Sequence, residues 1–182
     1  NRLIEKGPEL NLFRPLTDND FGAGLNRKLD YLKSPEMELV EFTHGKTENG
    51  AYEVVAVYDV LGGDARYTQT VSIYDDGKIK VANDFDAIKG DHSMLLNIGT
   101  RMELPKKLDS FSWYGRGPWE SYEDRKWSSM VGIFEGAVED QYHPYVRPQE
   151  SGNKTDVRWA RVSDGRRTGI EVHFVDSLLN VS

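Results

Sequence analysis

Tyr52-Glu53-Val54-Val55-Ala56-Val57-Tyr58-Asp59-Val60, followed past Leu61-Gly62-Gly63-Asp64 by Arg66-Tyr67-Thr68-Gln69-Thr70-Val71-Ser72-Ile73-Tyr74, decides the fold class. Apolar and polar residues alternate in both runs, the period at which successive side chains point to opposite faces of a strand. Gly62-Gly63 interrupts the pair, and Asp75-Asp76-Gly77-Lys78 carries the Asp-Gly signature of a tight hairpin turn. The same alternation predicts further strands over Met37–Thr43, Lys78–Phe85, Met94–Leu104, Ser110–Tyr114, Ser128–Phe134, Asp156–Val162 and Gly169–Val175, with the quoted pair widening to Ala51–Leu61 and Arg66–Tyr74. Strand centres about ten residues apart with turn signals between them read as an antiparallel β-sandwich. Leu25–Leu32 and Trp119–Arg125 are the two places where a short helical turn fits. The expectation is one all-β domain over residues 1–182.

The 182 residues include 38% hydrophobic and 29% charged side chains, so the chain is neither disordered nor membrane-like in composition. A transmembrane helix needs roughly 18 consecutive apolar residues, and no stretch comes close. Net charge is −7 with Lys and Arg scattered, which argues against a polyanionic partner such as nucleic acid. The absence of cysteine removes disulfides, thiolate zinc sites and thiol nucleophiles together. Compartment stays open between bacterial cytoplasm and periplasm. The chain opens Asn1-Arg2-Leu3-Ile4 and ends at Ser182 soon after a strand-like run, which suggests a piece of a longer polypeptide.

Three runs carry dense, specified chemistry. Phe13-Arg14-Pro15-Leu16-Thr17-Asp18-Asn19-Asp20 lies near the start. Trp113-Tyr114-Gly115-Arg116-Gly117-Pro118-Trp119-Glu120-Ser121-Tyr122-Glu123-Asp124-Arg125-Lys126 combines aromatics, charges and backbone-setting glycine and proline. Tyr142-His143-Pro144-Tyr145-Val146-Arg147-Pro148-Gln149-Glu150-Ser151-Gly152-Asn153 follows it. Such loops are usually recognition surfaces or packed interfaces, because ordinary connections tolerate almost any polar residue.

Together these runs resemble the C-terminal, small-chain domain of the large β-galactosidases of glycoside hydrolase family 2. The family pattern is similar to Arg-Ala-Pro-x-Asp-Asn-Asp, then Trp-x-Gly-x-Gly-Pro-x-Glu-Asn-Tyr-x-Asp-Arg, then Tyr-x-Pro-Tyr-x-x-Pro-x-Glu-Asn-Gly. Leu16, Trp119, Ser121 and Ser151 depart from it. The resemblance covers nearly the whole chain. It implies an antiparallel β-supersandwich of the galactose-mutarotase-like kind, truncated at its C-terminus here. It also implies a parent that hydrolyses β-galactosides or related carbohydrates with retention, using two glutamates on a barrel outside this chain. Partners implied are the sugar, the parent's barrel domain and, in the parent, further copies of itself. No cofactor is expected within this chain, while a divalent or sodium ion in the parent stays open.

Hydrolysis of a glycoside needs two carboxylates about 5–10 Å apart. No alternating strand–helix pattern here builds a barrel to hold them, so no catalytic residue is expected in this chain and the isolated piece should be inactive. Asp18, Asn19, Asp20 and Gly22 are the substrate-proximal candidates: the resemblance places Gly22 at the opening of a mobile loop beside the sugar pocket. The competing reading is that Asp18 and Asp20 cap a following turn. A metal reading of the same aspartates lacks further acidic residues at loop-ligand spacing. Trp113, Arg116, Glu120, Asp124 and Arg125 form a second candidate group, either a charge lattice bracing a loop or a sugar-facing groove. Arg147, Glu150 and Arg158 form a third, with Arg147 and Glu150 as an outward pair and Arg158 able to meet Glu150. Two rival functions remain. One is a stand-alone carbohydrate-binding module with a row of exposed aromatics, and the other an aldose mutarotase using His143 with Glu150.

Overall fold

The computed structural model describes residues 2–87, 89–90, 92 and 94–182. It is nearly all-β, built from antiparallel sheets, as the alternation predicts. The chain divides into two compact units, one made of Asn1–Lys28 with Asn97–Ser182 and the other of Leu29–Leu96.

The Leu29–Leu96 unit is a four-stranded meander in the order β2 (Met37–Lys46), β3 (Tyr52–Val60), β4 (Ala65–Ile73), β5 (Ile79–Ala87). Val54 pairs with His44 and Val71, and Val71 with Val81, so this register row is largely apolar across the sheet. A bulge between Leu39 and Glu41 lets β2 keep that register. The quoted turns close it: Gly62 and Gly63 have φ of 69° and 88°, and Gly77 has φ of 85°. Glycine adopts these left-handed values without steric cost.

In the other unit, a four-stranded sheet runs β11 (Gly169–His173), β10 (Trp159–Ser163), β7 (Ser110–Gly117), β8 (Met130–Ala137). Two further pairs join β1 (Lys6–Asn11) to β6 (Gly99–Glu103) and β9 (Lys154–Val157) to β12 (Leu179–Val181). The core gathers Phe111, Trp113, Val157 and Ala160, with Phe134, Val162, Phe174 and Val181 packed against it. Phe111 and Trp113, two apart on β7, stack with ring centroids 5.0 Å apart, and Phe134 of β8 lies 5.5 Å from Trp113.

Several boundaries differ from the sequence expectation. Asp156–Val162 is divided at Arg158 into the end of β9 and β10, and Asp156, with φ of 54°, lies at an irregularity in the β9–β12 pairing; β9 pairs with β12 and β10 with β7 and β11. Strand β1 is hidden by Gly7-Pro8, which reads as a turn, and β12 is too short for its period to register. The helical turn expected at Trp119–Arg125 forms instead at Lys126–Ser128, while Leu25–Leu32 holds α2 (Leu25–Lys28) and the start of a 3₁₀ turn (Asp30–Lys33). Helix α1 (Asp18–Gly22) is new.

The glycines of the Trp113 run also act differently from the reading above. They do not bend the chain, since Ser110–Gly117 is one regular strand. They make room: a Cβ on Gly115 would lie 2.9 Å from Val157 Cγ2 and 3.2 Å from the Thr155 carbonyl. One on Gly117 would meet the Phe134 ring at 2.7 Å. Gly115→Ala is therefore expected to overpack this unit and cost about 1–3 kcal/mol in urea unfolding. Gly45→Ala on β2, with open space at its Cβ, should be neutral or slightly stabilising.

Candidate functional site

The three motif runs all fall in the unit that contains β7 and meet there through side chains. Between β7 and β8 the chain leaves the sheet, and Glu120 turns inward. One carboxylate oxygen of Glu120 accepts from Arg125 Nη2 at 2.7 Å and from the Tyr145 hydroxyl. The other accepts the Gly152 backbone N–H at 2.9 Å. Gly152 sits at φ of 81°, and a Cβ there would lie 2.5 Å from the Gln141 carbonyl, so only glycine presents this N–H.

Beside it, Ser121 is fully buried. Its N–H donates to the Asn153 carbonyl at 2.7 Å, and the Asn153 amide donates back to the Ser121 carbonyl at 2.7 Å. The Ser121 hydroxyl also takes the Thr155 N–H at 3.0 Å. Ser121, a departure from the family pattern, thus zips the second run to the third.

Arg14 brings in the first run. Its Nη1 donates to Asp20 Oδ2 at 2.7 Å and its Nε lies 3.4 Å from Glu150 Oε2. Asp20 is buried, and the same Oδ2 accepts the Thr17 N–H at 2.8 Å and the Thr17 hydroxyl at 3.0 Å. Thr17 is the N-cap of α1 and Asp20 the third helical residue, a reciprocal capping arrangement. Capping therefore involves Asp20, with Thr17 in the position that the sequence reading gave to the aspartates. Asp18 is exposed and faces Arg147 at 3.5 Å. Gly22 closes α1 with helical geometry and open space around its Cβ.

The expected pairings are rearranged by these contacts. Arg147 pairs with Asp18 rather than Glu150, and Glu150 belongs to Arg14. Arg158 donates to the Asp156 carbonyl and lies over the Tyr114 ring at 5.0 Å, away from Glu150. The single lattice of Arg116, Glu120, Asp124 and Arg125 is two separate clusters. Arg116 Nε binds Asp156 Oδ2 at 2.5 Å, its Nη1 reaches the Ser129 carbonyl at 2.8 Å, and Lys126 Nζ lies 3.4 Å from Asp156 Oδ1. Arg125 stays with Glu120, and Asp124 is exposed. Trp113 is core at 1% exposure, whereas Trp119 and Trp127 are 69% and 82% exposed. His143 packs edge-on against the Tyr145 ring at 4.4 Å.

Two residues that the sequence did not single out belong here. Tyr145 carries the hydroxyl on Glu120, and Lys154 lies buried with its ammonium 4.8 Å from the Trp113 ring. Burial lowers the Lys154 pKa, with Glu120 pulling it back up. The Pro144-Tyr145 pair marked the loop, but nothing in the spacing marked the hydroxyl's target.

A scan against protein families adds the deciding comparison: residues 1–182 match the model described as β-galactosidase small chain. The chain belongs to the β-galactosidase small-chain family. It is 33% identical to a β-galactosidase of Priestia megaterium over 170 residues, 92% of this chain and 16% of that protein. It is 33% identical over 181 residues to one from Lactobacillus delbrueckii subsp. bulgaricus, 98% of this chain and 18% of that protein. A Streptococcus thermophilus β-galactosidase is 32% identical over 170 residues. This small-chain segment thus spans less than a fifth of the relatives that it matches.

Titration of the small-chain cluster is set by these contacts. At Asp20 burial opposes ionisation, but the Arg14 hydrogen bond and the Thr17 donors outweigh it and hold the carboxyl below its ordinary 3.8. At Glu150 burial wins: with Asp20 and Glu120 adding repulsion and Arg14 opposing, its pKa is raised. The two linkages have opposite signs. Asp20 contributes stability that is present above its unfolded pKa and lost as pH falls through the lower folded one. The Glu150 contribution is present below its unfolded pKa and lost as pH rises through the folded one. Asp20→Asn should therefore cost about 1–2 kcal/mol near neutral pH. In denaturant unfolding that deficit should shrink to nothing below the folded pKa of Asp20; a deficit constant with pH would contradict the account.

Proposed function

We propose that this chain is the small-chain domain of a retaining β-galactosidase of glycoside hydrolase family 2. Its motif cluster walls one side of the sugar pocket and braces a catalytic barrel that lies outside residues 1–182. One observation carries the reading most: runs over 100 residues apart in sequence meet where Arg14 lies between Asp20 and Glu150, while Glu120, held by Arg125 and the Gly152 N–H, ties the second run to the third. Buried charges fixed this tightly keep exposed neighbours such as Asp18 and Gly22 in a set position, which is what a pocket wall requires. The lone carboxylate pairs in the cluster are tied to arginine, so they act as scaffold rather than as acid and nucleophile. The isolated chain is accordingly a non-hydrolysing domain.

The two exposed indoles, Trp119 and Trp127, favour a second reading, a carbohydrate-binding module. The mutarotase alternative has less support, since His143 packs edge-on against Tyr145 while Glu150 is engaged by Arg14.

Asp18 separates wall from scaffold. Its pair with Arg147 is exposed on both sides, and such pairs contribute about 0–1 kcal/mol. In the full-length enzyme, Asp18→Ala should leave the melting temperature nearly unchanged while raising KM for a chromogenic β-galactoside severalfold. Unchanged KM and kcat would remove Asp18 from the pocket. Gly22→Ala, free of clash and favourable to helix by up to about 1 kcal/mol, should shift kcat and galactoside-inhibitor affinity together. Hydrolysis by residues 1–182 alone, lost on point changes within them, would overturn the assignment of chemistry to the barrel.

A further inference from the structure

The two faces of the β2–β5 sheet differ in character, one mostly polar with Val55 and Val57 among its residues, the other mostly apolar. Asp59, Glu53, Arg66, Ser72 and Thr43 lie on the polar face, where Arg66 Nη2 binds Asp59 at 2.8 Å and the Ser72 hydroxyl donates to Glu53 at 3.3 Å. The opposite face is apolar along successive register rows. His44, Val54, Val71 and Val81 form one row, and Tyr52, Ile73 and Ile79, with Lys46 at the β2 end, the next. At the end where Val60, Ala65 and Tyr67 lie, this face is buried. At the other end it is open: Phe42 is 55% exposed, Tyr52 40%, Ile73 44%, Ile79 60% and Val81 38%.

An antiparallel sheet with one polar and one apolar face is built to be covered on the apolar side. Tyr67, Gln69, Asn83, His44 and Tyr52 on this face bond among themselves. Tyr67 donates to Asn83 Oδ1 at 2.7 Å, Gln69 Nε2 donates to the Tyr67 hydroxyl at 2.9 Å, and His44 Nδ1 and the Tyr52 hydroxyl are 2.6 Å apart. Phe42, His44 and Tyr52 form a ridge with ring centroids 5.7 and 6.0 Å apart. Covering the face therefore removes apolar surface from water with few polar groups to desolvate, the Lys46 ammonium at the strand end being the charged one.

We propose that the Phe42–Tyr52–Ile79 end of this face is a docking surface for the β-galactosidase polypeptide outside residues 1–182. The occupant follows from the relatives, in which the matching segment is 16–18% of the protein. Chain joined to this segment would meet the face at an effective concentration of roughly millimolar, well ahead of a second copy. The assignment rests on the β-galactosidase reading above and places part of the bracing on apolar contact, separate from the charged motif cluster.

Residues 1–182 hold no cysteine, so a thiol introduced here adds a probe where none exists. Ile79→Cys and Val81→Cys are made in the full-length enzyme. Maleimide labelling at each site is followed by peptide mass spectrometry, native and in urea, with β-galactoside turnover assayed in parallel. Native labelling slower than unfolded labelling by more than on the order of tenfold at both sites is expected, independent of protein concentration. Labelling at near the unfolded rate in an active enzyme overturns the proposal. So does protection that disappears on dilution together with a dimer, which would assign the face to a second copy. Protection in a folded enzyme without β-galactoside turnover keeps the surface and removes the functional reading instead.

Discussion

Glu120 is a mostly buried carboxylate, and burying a charge without partners is so costly that its neighbours are dictated by it. Three donors come from three different places: Arg125 from the same run, Tyr145 and the Gly152 N–H from the next. The last two can be supplied only if the Tyr142–Asn153 segment folds back against the β7–β8 connection. The Ser121–Asn153 exchange of backbone and amide hydrogen bonds then fixes that approach residue by residue. Once Glu150 is delivered by this fold-back, Arg14 has its second carboxylate, and α1 is held through Asp20. The order of dependence runs from one desolvated charge outward to the exposed Asp18 and Gly22.

The close packing beneath follows a separate rule. Trp113 occupies the centre of its core only because Gly115 and Gly117 leave no Cβ to displace Val157 and Phe134. Its indole N–H is satisfied locally by the Arg116 carbonyl at 2.9 Å. Arg116 in turn leaves that face for Asp156, a non-glycine residue held at φ of 54°. The ion pair with Arg116 and the reach of Lys126 lower the Asp156 pKa. A left-handed aspartate is tolerable when its side chain is engaged this firmly.

Sequence reading succeeded where one local rule decided the outcome. The alternation in Tyr52–Val60 and Arg66–Tyr74 and the glycine turns around them give the β2–β5 meander almost residue for residue. It failed where two rules competed. Asp156–Val162 has good alternation, but the left-handed backbone at Asp156 holds its side chain to a charge on another strand, and the ladder breaks at Arg158. Charge pairing was the least legible layer. Arg147, Arg158 and Arg14 are equivalent in a one-dimensional view, and only the fold-back forced by Glu120 and Gly152 assigns Glu150 to Arg14. The motif runs were visible as runs; their internal geometry was a tertiary property.

The two units differ in what their surfaces ask of a neighbour. In the motif cluster the charges are mutually satisfied, so a ligand or domain meeting it finds a rigid, polar, prearranged wall. Such a surface contributes orientation more than affinity, because its groups gain little by exchanging one good partner for another. The open end of the β2–β5 face is the reverse: His44 and Tyr52 bond to each other, and its rings and branched chains remain in water. Association there is driven by area and is largely indifferent to angle. On the proposed reading of this domain as a pocket wall both properties are used, and placing them on separate surfaces lets anchoring strength change without disturbing the geometry around Asp18 and Gly22.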